Sequence, residues 1–245
     1  MSILEILKRS FDRLKSNWSI FIPLLAVGVV MALVSLLLVG SMVPALAPMQ
    51  SEVTVTAQEA ASVAGMAVGR MIALMVIGSI VGLLAHGMTV LMAQDALTDV
   101  PVSLSTAWTR TRSRIVPLVI TAVLVGIMVS LGTVLLVIPG VVLGFFLMFS
   151  FVSLMVEEAS PFEAVKTSMR TVKNNFGATF IFFLVVIALS VLVGIVNVVI
   201  GLIPVLGAII SVLLGSAFAS FVTVFVVAVY GELASRGGEA VDPEV

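Results

Sequence analysis

Cysteine is absent from the 245 residues, so disulfides, thiolate metal sites and cysteine nucleophiles are all excluded. Charge is scarce as well. Twelve Lys and Arg and 13 Asp and Glu make up 10% of the chain, against about 25% in an average soluble domain. So few solvated side chains could not cover a globule of this size, which excludes a soluble enzyme, a nucleic-acid binder and a disordered chain. The formal net charge of -1 carries little information as a total; the placement of the charges matters. No His-Glu-x-x-His, phosphate loop or Gly-x-Ser-x-Gly occurs, and no cofactor or metal is expected.

In place of charge the chain has oil: 61% of its residues are hydrophobic. Crossing a ~30 Å hydrocarbon layer as a helix takes about 20 mostly apolar residues. Six stretches qualify, at residues 19–43, 71–93, 115–138, 141–156, 177–203 and 205–230, and none contains Asp, Glu, Lys or Arg. They are apolar on every side and too long for barrel strands, so helices are predicted. The fourth is the shortest, and the Ile138-Pro139-Gly140 signal before it predicts a tight turn lying below the membrane surface. Ile203-Pro204 predicts a second such turn. Residues 44–69 mix Pro, Thr and Gln with Glu52 and Glu59, which reads as a short loop followed by a helical extension of the second span.

Orientation follows from the cations. Lys8, Arg9, Arg13 and Lys15 precede the first span, and Arg110, Arg112 and Arg114 separate the second from the third. Lys166, Arg170 and Lys173 separate the fourth from the fifth, and Arg236 follows the sixth. An even number of crossings puts all of these on one side, so both termini are expected in the cytoplasm of a multi-pass cell-membrane protein. Arg70 alone falls at the opposite end, where its long side chain can snorkel.

Residues 4–18 align without gaps on residues 162–176: Glu5, Lys8, Ser10, Lys15 and Asn17 match Glu163, Lys166, Ser168, Lys173 and Asn175. Leu4, Leu7, Phe11, Leu14 and Trp18 match Phe162, Val165, Met169, Val172 and Phe176, a spacing that makes one apolar stripe on a helix. A degenerate third copy covers residues 103–115, with Leu104, Ala107, Trp108 and Ile115 on one side. The predicted fold is therefore all-α, a single membrane domain of three parallel repeats, each an interfacial amphipathic helix followed by a helical hairpin. The units are expected at about 1–98, 99–158 and 159–235, with a tail at 236–245. Lys15, Asn17 and Trp18, like Lys173, Asn175 and Phe176, read as interfacial anchors: lysine snorkels, asparagine caps the span that follows, and the aromatic sits in the interfacial belt.

From Ile138 to Phe176 the order is Ile-Pro-Gly, an apolar span, Glu157-Glu158, and an amphipathic helix bearing Ala164, Ser168 and Asn175. This pattern resembles the membrane domain of some glycerophosphodiester phosphodiesterases and related stand-alone six-helix prokaryotic membrane proteins. The resemblance implies a fold and a lipid-linked setting. It implies no reaction, because the phosphodiesterase catalytic domain is missing.

Chemistry has few places to reside. The sole histidine, His86, lies in the second span about nine residues, or ~13 Å, from Asp95 at its cytoplasmic edge. Gly78, Ser79, Gly82, His86, Thr89 and Ala93 share a helical face, and Gly78-x-x-x-Gly82 invites a close helix crossing, so His86 is expected to point into the bundle. Two readings stand: a ligand-contacting or proton-titrating group in a polar seam, or a neutral imidazole hydrogen-bonded to a neighbouring helix. Asn197 in the fifth span is the other polar candidate. Asp95, Glu157 and Glu158 form an acidic group at the cytoplasmic ends of spans, with Lys166 or Arg110 as expected partners.

No constellation of acid, base and nucleophile accompanies these residues, so the chain is expected to be non-enzymatic. The functional expectation is a membrane scaffold or lipid- or partner-interacting subunit, touching membrane lipids and a second copy or another membrane protein. The alternative is a channel or transporter for a small molecule or lipid, with His86 in its seam.

Overall fold

The computed structural model describes residues 2–50, 57–203 and 206–239, which hold ten α-helices and no strand. In chain order they are α1 (Ile3–Ser16), α2 (Ile22–Gln50), α3 (Ala57–Leu97), α4 (Leu104–Ser113) and α5 (Ile115–Leu135). Then come α6 (Val137–Leu147), α7 (Ser150–Val156), α8 (Pro161–Asn174), α9 (Phe176–Gly201) and α10 (Leu206–Glu239). Six stretches are long and apolar enough to cross a membrane: Trp18–Leu37, Val68–Leu97, Ile115–Leu135, Val137–Val156, Phe176–Gly201 and Leu206–Arg236. The all-helical six-span architecture is thus as the composition predicts.

The three short polar helices α1, α4 and α8 gather at one end of the bundle with the cations, hereafter the basic end. Local sequence explains their starts. Ser2 and Ser160 each accept a hydrogen bond from the amide of Glu5 or Glu163, whose carboxylate accepts one in return from the serine amide. These reciprocal capping boxes satisfy two otherwise orphaned donors per helix and hold both carboxyls below their ordinary pKa. Ser103 caps α4 by its side chain alone, accepting from Thr106 N–H.

α3 and α10 are the central pair: α3 packs on α2, α4, α5, α7 and α10, while α10 also carries α1, α2 and α9. Burial is concentrated toward the basic end. Leu91, Met92, Leu118, Phe149, Leu154, Met155, Phe182 and Phe225 are all sealed from solvent there, in a core that Tyr230 and Leu233 complete. The far half is the reverse: Val134 is 84% exposed, Ile138 76% and Leu202 78%. Apolar surface on this scale is favourable only in hydrocarbon, so the far half is built for a bilayer and the basic half is built partly on itself.

Several boundaries differ from the sequence reading. The α5–α6 reversal needs only Leu136, whose backbone is extended; Pro139 and Gly140 lie inside the first turn of α6. Proline costs nothing there because first-turn amides have no helical partner. Gly140 is required for another reason: a Cβ would stand 2.1 Å from Thr133 Oγ1 and 2.8 Å from Thr133 Cα. The fourth span consequently starts earlier, at Val137, and has 20 residues, so it is not the shortened crossing expected. α2 runs through Pro44 and Pro48 to Gln50, where a loop was expected, while α3 begins at Ala57 as the expected helical extension of its span. Glu52 and the Ile203-Pro204 turn involve positions outside the described residues. Beside the latter, Gly207 lies so close to the carbonyl of Ile200 that a Cβ would come within 2.2 Å of it.

The fourth span is also broken. Between α6 and α7, Met148 and Phe149 leave the regular helical pattern. Ser168 of α8 repairs the break: its Oγ accepts from Phe149 N–H at 3.1 Å and donates to Phe146 O at 2.8 Å. Its counterpart by alignment, Ser10, only donates to Ile6 O of its own helix.

Candidate functional site

The basic end is tied together by ion pairs and carbonyl contacts between helices. Arg13 of α1 forms a forked pair with Asp99, and Arg9 donates to Leu97 O at 3.3 Å. The guanidinium holds the Asp99 carboxyl below its ordinary value and is itself raised by it. Asp95 meets Arg110 at 3.3 Å, as expected. Arg114 donates to the carbonyls of Glu158 and Ala159 at 2.8 and 2.7 Å, with the Glu158 carboxylate 3.8 Å away.

Asp99 and Glu158 share an unusual backbone. Each follows a helix C-terminus with positive φ, 59° and 54°, in the left-handed region that usually takes glycine. Both are paired with an arginine from another segment.

Glu157 is held differently. The Tyr230 hydroxyl donates to its Oε1, and Ser153 Oγ donates to Oε2 at 2.9 Å. The three acidic candidates therefore do not form one group: Asp95, Glu157 and Glu158 are each engaged by a different partner, and Lys166 is paired with none of them. Among the described residues no group of His, Asp and Glu could hold a metal ion. The chain's single tyrosine is the signal by which Tyr230 could have been found; Arg114 offered none beyond its place in a basic run.

The two anchor asparagines cap backward. Asn17 Nδ2 donates to Arg13 O and Asn175 Nδ2 to Thr171 O, each at 3.1 Å, and neither side chain caps the span that follows. Each side chain adds a second hydrogen bond to a carbonyl near the C-terminus of α1 or α8 that the asparagine's own backbone N–H already reaches. Trp18 and Phe176 are exposed, at 71% and 52%, as membrane-facing aromatics should be; Lys15 and Lys173 are exposed too.

His86 sits half-buried on α3 at the inner end of a cleft of about 790 Å³ between α3 and α5. Its ring meets Phe151 of α7 edge to face, with centroids 5.9 Å apart and planes at 89°. Among the described residues that ring contact is its one polar or aromatic partner, and no hydrogen bond to a neighbouring helix forms. The expected seam also divides. Gly78 packs on Met31 of α2, while nothing lies within 4 Å of a Cβ placed on Gly82, so this pair makes no joint helix crossing. Ser79, Gly82 and His86 line the cleft; Thr89 and Ala93 are buried in the core. Asn197, on α9, is half-buried and is not part of the cleft.

A smaller cavity of about 320 Å³ opens at the basic end between α1, α3, α7 and α10, with Arg9, Gln94 and Tyr230 on its wall. Gln94 Oε1 is buried there without a hydrogen-bond donor.

These features define a multi-pass helical membrane protein. No protein-family model, curated protein or solved structure matches the chain.

Proposed function

We propose that this protein is a non-enzymatic membrane scaffold that interacts with lipid. One observation carries the reading: the middle of the basic half is filled by stacked and edge-on aromatic rings, with Phe182–Phe225 centroids at 4.8 Å and Phe149–Tyr230 at 5.4 Å, while the clefts open sideways along the far half. Filled axes do not conduct, and lateral clefts in hydrocarbon take lipid. The carboxylates support the same reading, since each is committed to a structural partner and none shares a cleft with His86.

On this reading α1, α4 and α8 lie at the cytoplasmic face of the cell membrane, in three related units, and the partners are lipids together with a second copy or another membrane protein. The similarity of residues 138–176 to the glycerophosphodiester phosphodiesterase membrane domain fits this setting. The transporter alternative draws on the broken fourth span, since interrupted helices often mark transport sites. Here the break is closed by Ser168 and sealed by Phe149, which weighs against a passage.

Reconstitution tests it. Proteoliposomes should show no saturable flux of small solutes or lipids above empty vesicles; a saturable flux lost in His86→Ala would overturn the scaffold reading. Because the chain has no cysteine, Lys8→Cys and Lys166→Cys report orientation cleanly. Both should resist an impermeant thiol reagent in intact cells, and labelling of either from outside would refute the placement.

A further inference from the structure

Resting on the lipid-interacting reading, we propose that the α3–α5 cleft binds one long-chain neutral lipid whose head is a hydroxyl, with His86 as its hydrogen-bonding partner. The cleft's volume of about 790 Å³ falls within the usual range for ligand sites. Its walls are aliphatic: Ile72, Met75, Ile80 and Val123 among them. Ser79 is already satisfied, donating to Met75 O at 2.7 Å. That leaves the imidazole as the one side chain in the cleft with unspent hydrogen-bonding capacity.

Depth decides what can satisfy it. His86 lies ~13 Å along α3 from Asp95, at a level where lipid tails offer neither donor nor acceptor. A polar group left unmatched in hydrocarbon is penalised, so an occupant that supplies the bond is favoured over a tail that does not. A phosphate head would have to leave the interface for a cleft lined by neither Lys nor Arg, which charge forbids. A neutral imidazole has one N–H donor and one ring acceptor, and a hydroxyl answers whichever nitrogen faces it. Gly82 supplies the room, because its Cα faces open space beside the histidine.

The experiment uses the full chain in phosphatidylcholine nanodiscs, with a photoactivatable long-chain alcohol as the probe. Two controls are the same chain without its hydroxyl and a phosphatidylcholine carrying the same photoactivatable group. The alcohol should label residues 72–86 and 119–123 saturably, roughly three- to tenfold above the hydrocarbon, the range one net hydrogen bond supplies. His86→Phe keeps a ring against Phe151 but should reduce labelling to the hydrocarbon level; His86→Gln should retain most of it. Gly82→Leu should fill the cleft and abolish labelling there, while background labelling in the separate apolar groove that Phe11 of α1, Leu189 of α9 and Phe221 of α10 line should stay unchanged. Equal labelling by the hydrocarbon, preferential labelling by the phospholipid, an unaffected His86→Phe, or cross-links from the cleft to a second copy would each overturn the proposal. Flux through the protein would sink the scaffold reading without touching these results, so the two fail separately.

Discussion

Ser168→Ala removes two hydrogen bonds from the place where the fourth span breaks. Phe149 N–H and Phe146 O lose their bonds to Oγ, in a site where Ser168 and Phe149 are both fully buried. Leaving a buried backbone group unmatched costs about 1–3 kcal/mol, although hydrogen bonds measured within membrane proteins tend to the lower part of that range. A total of about 1–3 kcal/mol is therefore expected, which lowers Tm by roughly 2–4 °C for each kcal/mol in a chain of this size. Ser10→Ala is the internal control. Ser10 is equally buried and holds the aligned position, but its hydroxyl only adds a second bond to Ile6 O inside a continuous helix. Its loss should cost less than ~0.5 kcal/mol, the range of ordinary substitutions that remove no needed partner. Thermal unfolding of both variants in one detergent, monitored by helical circular dichroism, makes the comparison. Equal Tm losses, or no loss in Ser168→Ala, would refute the claim that the serine completes a broken helix.

Gly140→Ala should destabilise by about 1–3 kcal/mol through the collision with Thr133, whereas Gly144→Ala, which meets nothing within 4 Å, should be neutral or stabilising; paired melts decide it. Glu158→Gly should raise stability by up to about 1 kcal/mol, because relief of the left-handed backbone outweighs a long pair to Arg114; a lower Tm would show that the pair matters more. For the capping boxes, the lowered Glu5 and Glu163 values mean that their stabilisation is complete above the ordinary pKa of 4.5 and is lost as pH falls through the folded values. The Tm gap between wild type and the Glu5→Ala, Glu163→Ala double variant should therefore shrink on acidification below 4.5, and a constant or widening gap would contradict the sign.

The sequence by itself determined the solvent and the elements. Uncharged runs of this length have to be helices in oil, since only a helix satisfies its own backbone there, and the Ser-x-x-Glu starts of α1 and α8 specify their caps within four residues. These are local facts that depend on spacing along one chain. The Asp95–Arg110 pair was legible for the same reason, lying fifteen positions apart across one short connection.

Tertiary structure decided the rest, because it depends on which surfaces meet. That α5 turns at Leu136 rather than at Pro139-Gly140 follows from the approach of Gly140 to Thr133. The split of the α3 polar face, with Gly78 against Met31 and Gly82 in the open, depends on where α2 and α5 come to rest. Tyr230 reaching Glu157 spans 73 positions, and Ser168 mending a break 19 positions away is no more visible in the repeat that Ser10 shares. Spacing along a helix tells which residues share a face; only the assembled bundle tells what that face touches.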